Sequence, residues 1–209
     1  MEEKRIPALL LNILFSQVDE MMGRRSLMML LRQSSLSQYA DQVLPMSEAP
    51  SITVAEYSHL LANIYEIFGA RGSRPIFIRG GRLGAAEIRH QRPAQFAVAG
   101  TALKFLPAGT RMRLVLERLA EQGEDLYGTP HDLHEQDDAF VVEMLQCPYC
   151  AAINQRRIAE GKAITKPVCH IPASVIEEMI EWATGQKHLV EESACIAMGD
   201  GACRFRVAR

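Results

Sequence analysis

Residues 192–207 read Glu192-Ser-Ala-Cys195-Ile-Ala-Met-Gly199-Asp200-Gly-Ala-Cys203-Arg-Phe-Arg-Val207. Two runs with strand character, Leu189 to Met198 and Ala202 to Val207, flank the Gly-Asp-Gly. Glycine and aspartate suit a tight reversal, so the two runs are expected as an antiparallel hairpin. Each carries one cysteine, Cys195 and Cys203, and the two meet on one face if the register permits. Glu192 stands three residues before Cys195, and a regular strand would place it on the opposite face. A bulge, or a strand that begins only after Glu192, is needed to bring it round.

All five cysteines lie in the last third of the chain: Cys147 and Cys150 in C-P-Y-C, Cys169 in P-V-C-H, then Cys195 and Cys203. C-x2-C spacing within such a cluster is how chains build tetrahedral metal sites. Cys169 can reach the hairpin from another element, and three thiolates with one oxygen or a fourth sulfur make a closed structural zinc site. Buried thiols without metal are the plainer alternative. C-P-Y-C is also the active-site sequence of glutaredoxins, where a following helix depresses the pKa of the first thiol. Here only 59 residues follow, with three more cysteines, so an additional metal arm or a turn-holding knuckle fits better. His170 is a further candidate ligand, while His131 and His134 are expected in a surface loop.

Upstream, the pattern is helical. Leu9, Leu10, Ile13 and Leu14 share a face, Leu27, Met28, Leu30 and Leu31 form a second stripe, and Gly23 separates them. Ser51-Ile-Thr53-Val-Ala-Glu56 offers a capping box to a helix running through Tyr57, Leu60, Leu61, Ile64 and Phe68, with Gly69 as its stop. The stretch from Arg71 to His90 is ambiguous: Pro75-Ile-Phe-Ile-Arg79 suits a short strand, while Gly80, Gly81 and Gly84 suit close helix packing. Another helix starts after Pro107 and Gly109. The character changes near Gly123: Ala139 to Gln146 reads as a strand, and Pro172 opens an amphipathic helix ending at Gly185. The expected fold is α+β, with N-terminal helices packed on a small C-terminal antiparallel sheet that carries metal-binding cysteines. Residues 1–209 are taken as one domain, 1–122 mainly helical and 123–209 sheet and cysteine-rich.

The bulk composition bounds the partners. A net charge of −2 gives no basic footprint for nucleic acid, and the arginines between Arg71 and Arg113 suit a solvated helical face. No apolar run reaches the roughly 18–20 residues of a membrane span. An odd cysteine count and the lack of a signal-like cleavage site point to the cytoplasm. Gly80-Gly-Arg-Leu-Gly84 does not fit dinucleotide spacing, and no Walker loop is present. Ten methionines allow an adaptable apolar pocket or dimer face.

Cys169, Gly185, Glu192, Cys195, Gly199-Asp200 and Cys203-Arg-Phe-Arg-Val207 together resemble the 4-vinyl reductase domain family. That family includes sensor domains of aromatic-responsive transcriptional activators and is related to subunits of a vesicle-tethering complex. The resemblance is most specific over residues 169–207. It implies zinc held by three cysteines and a glutamate, which transfer by spacing onto Cys169, Glu192, Cys195 and Cys203. C-P-Y-C departs from the sensors, leaving open whether Cys147 or Cys150 replaces Glu192, or whether an iron–sulfur cluster is held instead.

The expected function is a small-molecule sensor or carrier that binds an apolar, aromatic or tetrapyrrole-like ligand between helices and sheet. A homodimer through the N-terminal helical faces is implied by the resemblance. Catalysis is not expected, since no general acid, base or hydride donor stands out. The alternatives are a reductase or accessory protein in tetrapyrrole (bacteriochlorophyll) biosynthesis, and a protein-interaction scaffold.

Overall fold

A computed structural model describes residues 3–42 and 44–209. The chain begins with a short strand β1 (Arg5–Pro7) and helices α1 (Ala8–Met22) and α2 (Arg24–Gln33). Gly23 separates the helices as expected, at φ +83° and ψ 158°, a region open essentially to glycine alone that costs other residues about 1–3 kcal/mol. Strand β2 (Pro50–Thr53) pairs antiparallel with β1 and leads into α3 (Val54–Gln91).

The capping box at the start of α3 is formed: Glu56 N–H donates to Thr53 Oγ1 at 3.1 Å and Thr53 N–H donates to Glu56 Oε2 at 2.7 Å. Gly69, at φ +67°, breaks the helix where the stop was expected, but the chain resumes helical geometry beyond this kink. Pro75–Arg79 is therefore helix, not strand. The glycines explain why helix wins. A Cβ on Gly81 would fall 2.6 Å from the Ile171 carbonyl oxygen and 2.1 Å from Ser174 Oγ, so two helices meet there only because Gly81 has no side chain.

The partner in that contact is α7 (His170–Thr184), reached through α4 (Pro93–Leu103), α5 (Ala108–Tyr127), β3 (His131–Glu135), β4 (Ala139–Met144) and α6 (Ala151–Glu160). Helix α5 continues through Gly123 and ends on Gly128 at φ +70°, so the change of character comes five residues later than composition suggests. His131 and His134 lie on β3 rather than in a loop.

Strands β5 (Val190–Ala194) and β6 (Cys203–Ala208) complete a four-stranded antiparallel sheet of order β3-β4-β6-β5. The hairpin is shorter than expected, because Ile196–Met198 turns as a 3-10 helix. Along β6, Cys203, Phe205 and Val207 are buried while Arg204 and Arg206 face out to Glu143 and Asp138. Phe140, Val142 and Met144 of β4 join Phe205 and Val207 in a core continuous with α1, α3, α5 and α7. Helices first, then a small sheet, is the expected α+β arrangement. No helix among the described residues is long and apolar enough to cross a membrane.

Candidate metal centre and ligand cavity

Five cysteines from four segments converge behind the sheet, each no more than 1% exposed. Cys147 follows β4 and its carbonyl accepts from the N–H groups of Cys150 and Ala151, closing the C-P-Y-C turn. Cys150 and Cys169 are the residues immediately before α6 and α7, so both sit at helix N-termini, where partial positive charge favours thiolate. Burial works against this and pushes the Cys169 thiol up, so a bound cation is what would hold it ionised. Cys195 follows β5, and Cys203 opens β6. The sulfurs lie 3.5 Å apart for Cys147 and Cys169, 3.5 Å for Cys150 and Cys203, and 3.8 Å for Cys169 and Cys203. These separations are far beyond the roughly 2.05 Å of a disulfide, and all five thiols are free.

Glu192 joins this cluster through the irregularity its position demanded. The register of β5 against β6 runs Glu192 opposite Phe205, then Ala194 opposite Arg204, a bulge that inserts one residue before Cys195. Glu192 Oε2 then accepts the Cys169 N–H at 2.9 Å, while its Oε1 is buried without a hydrogen-bond partner among the described residues. Burial and the neighbouring Cys195 push the Glu192 carboxyl up to about 9. Hydrogen bonds from other thiols, that of Cys150 foremost, bring Cys195 down to about 6. The thiol of Cys147 foremost does the same for Cys203, also to about 6. Asp200 in the Gly-Asp-Gly turn accepts the Cys195 N–H at 2.8 Å and so fixes the turn rather than joining the cluster.

Among the described residues, two sets of four donors have all their ligand atoms within 4.8 Å of one another. One is Cys169, Glu192, Cys195 and Cys203; the other is Cys147, Cys150, Cys169 and Cys203. All six candidate ligands are thus brought together. His170 belongs to neither set; burial, with Arg74 nearby, pushes its imidazole down to about 4. C-P-Y-C does have a strand before it and a helix after it, as in a glutaredoxin. Yet burial pushes the Cys147 thiol up, the reverse of an activated nucleophile.

Tyr149, between Cys147 and Cys150, links this cluster to a cavity. Its hydroxyl donates to the Tyr127 hydroxyl at 2.7 Å, and its ring packs edge-on against Tyr127 and Tyr57. The three rings form one wall of a cavity of about 140 Å³, otherwise lined mainly by Leu10, Leu14, Gly80, Gly84, Ile88, Leu126, Ile171 and Val175. The cavity was expected between helices and sheet, but its lining comes from helices and the C-P-Y-C loop, with no strand residue. Sequence reasoning missed the tyrosine wall. Its one local signal was an aromatic residue held between two candidate ligands.

Residues 140–209 match the model of the 4-vinyl reductase domain. The C-terminal third of the chain is thus similar to a 4-vinyl reductase domain. It contains both sets of donors, and its helix α7 and C-P-Y-C loop supply one side of the cavity. No curated protein matches the chain in sequence. Solved structures extend the likeness beyond residues 140–209. An unliganded Fe(II) H-NOX protein from K. algicida aligns with a TM-score of 0.61 at 8% identity, covering 97% of this chain and 96% of that one. An H-NOX protein from S. oneidensis in the Fe(II)NO state gives 0.55 at 12% identity, covering 97% and 98%. The phenol-responsive sensory domain of the transcription activator PoxR, with phenol, gives 0.51 at 13% identity, covering 79% and 78%. At these identities the likeness is one of fold.

Proposed function

We propose that residues 1–209 act as one small-molecule sensor domain whose ligand is a single apolar or phenolic ring. The cavity carries this reading. Its volume of about 140 Å³ is close to the roughly 150 Å³ of an apolar cavity that accepts benzene, and the Tyr127–Tyr149 hydroxyl pair offers a phenol one polar contact. The PoxR sensory domain, which shares the fold, was solved with phenol. H-NOX structures concern heme, and a tetrapyrrole is the second reading carried from the sequence. Among the described residues no His, Cys or Met lines this cavity to serve as an axial ligand, and burial pushes the three tyrosines away from phenolate.

Cys169, Glu192, Cys195 and Cys203 would hold a structural zinc ion. Borderline-soft Zn²⁺ suits three thiolates and a carboxylate, and the unpartnered Glu192 Oε1 supports the fit. The ion would clamp α7 to the β5–β6 hairpin. A homodimer would form through exposed apolar residues of the N-terminal helical part, Val98 on α4 and Phe105 just beyond it foremost.

Thermal melts with phenol, toluene and hemin test the ligand. Concentration-dependent stabilisation by phenol and toluene is the expected result. Stoichiometric hemin binding with a sharp Soret band, and no response to either ring, would overturn it. Stripping metal with a chelator should lower Tm, because metal binding free energy is folding free energy at such a site.

A further inference from the structure

A single ion leaves donors unused. A tetrahedral site takes four ligands, and the cluster offers six. With an ion in the Glu192 set, Cys147 and Cys150 stay behind as thiols whose sulfurs sit 3.5 Å from Cys169 and Cys203. With the ion in the all-cysteine set, the Glu192 carboxyl is left buried beside Cys195 with Oε1 unpartnered. The two sets are not separate places: they share Cys169 and Cys203, 3.8 Å apart. A thiolate sulfur has lone pairs enough to bridge two ions. Two four-coordinate ions sharing two bridges need six donors, which is the number present.

We propose that this chain holds a binuclear metal–thiolate centre in which Cys169 and Cys203 bridge two ions, one completed by Glu192 and Cys195 and the other by Cys147 and Cys150. It rests on the reading that the Glu192 set holds an ion, and adds the second.

The all-cysteine set has the spacing for it. A Zn–S bond of about 2.3 Å makes the edge of a tetrahedron about 3.8 Å, against the 3.5, 3.5 and 3.8 Å found within that set. An iron–sulfur cluster would have to fit inorganic sulfide between the same sulfurs and so spread them apart. Charge is also accommodated. Five thiolates and a carboxylate carry −6 against +4 from two divalent ions, and the residual −2 faces the N-termini of α6 and α7. The Ile196 N–H donates to Cys203 Sγ at 3.4 Å, on one of the two proposed bridges.

The bridging serves the cavity as well. The second ion would lock the C-P-Y-C loop, and with it Tyr149, to the same point as α7 and the hairpin. The ligand wall and the sheet would then share one anchor.

The test is metal content by elemental analysis and native mass spectrometry on the full chain, purified without oxygen and reconstituted with zinc. Two zinc ions per chain without acid-labile sulfide are expected in the wild type. One ion should remain in a Cys147→Ser/Cys150→Ser variant and one in Glu192→Gln/Cys195→Ser, and none in Cys169→Ser/Cys203→Ser. A wild type with one ion that survives Cys147→Ser/Cys150→Ser would sink the binuclear centre and leave the single site standing. A wild type with none, or with iron and sulfide, would sink both. Should the variants fail to fold, ¹¹³Cd NMR of the wild type decides alone. Two cadmium resonances, both coupled to the β-protons of Cys169 and Cys203, are expected, and a single resonance overturns the proposal.

Discussion

The Tyr149 hydroxyl donates to the Tyr127 hydroxyl at 2.7 Å, joining the loop between two candidate metal ligands to the helix that borders the cavity. Tyr149→Phe removes the donor and leaves the Tyr127 oxygen buried without its partner. We expect a loss of about 1–3 kcal/mol in stability with the metal content unchanged. Phenol affinity should fall more than toluene affinity, measured by calorimetry on the same variant. Equal losses for both ligands would mean that the hydroxyl pair takes no part in recognition.

Gly80 and Gly81 are neighbours with opposite expectations. A Cβ on Gly80 meets only Leu14 Cδ1, at 3.9 Å, so Gly80→Ala should stabilise the helix by about 0.5–1 kcal/mol while narrowing the cavity. Its ligand affinity should drop. Gly81→Ala drives a methyl into the Ile171 backbone and should cost about 1–3 kcal/mol. Denaturant unfolding of both variants checks the pair; similar stabilities would show that α3 and α7 can separate freely.

His131 packs beside Tyr127, with its ring against Gly123. Burial lowers its pKa, outweighing the Thr129 carbonyl and the nearby Glu124 and Asp132, so the folded state prefers the neutral imidazole. The sign follows. The stability this preference supports is fully present above the ordinary value of 6.5, and is lost as pH falls from there through the lower folded value. His131→Gln should flatten that part of the profile. Urea midpoints between about pH 5 and 8 are the measurement, and an unchanged slope would count against the assignment.

Val98 on α4 is 73% exposed and Phe105 just beyond it 85% exposed. If this face mediates the proposed dimer, Val98→Glu/Phe105→Glu should sediment as a monomer with an unchanged Tm. A wild type that is monomeric at all concentrations would remove the dimer.

The cysteine pattern, the capping box at Thr53 and Glu56, the break at Gly69 and the strand–turn–strand ending at Val207 were legible without coordinates. Each is a local matter of spacing, capping or backbone freedom. The parity of Glu192 against Cys195 even demanded an irregularity, and the bulge at Glu192–Ala194 supplies one. Other positions were locally ambiguous. Pro75–Arg79 has β-branched and aromatic residues enough for a strand, and became helix because Gly81 lets α7 approach. His131 and His134 have polar neighbours that suggest a loop, and became strand because β4 offers them a partner.

What the amino-acid sequence determined by itself was therefore the broad α+β plan, helices first and a cysteine-bearing hairpin last, and the kind of donor gathered at the C-terminus. Such properties depend on residues within a few positions of one another. Only the tertiary structure decided that six donors form two sets sharing Cys169 and Cys203, and that Tyr57, Tyr127 and Tyr149 close one cavity. Those are distances between segments up to 92 residues apart in the case of Tyr57 and Tyr149, set by how α3, α7 and the sheet pack together. No local pattern encodes them.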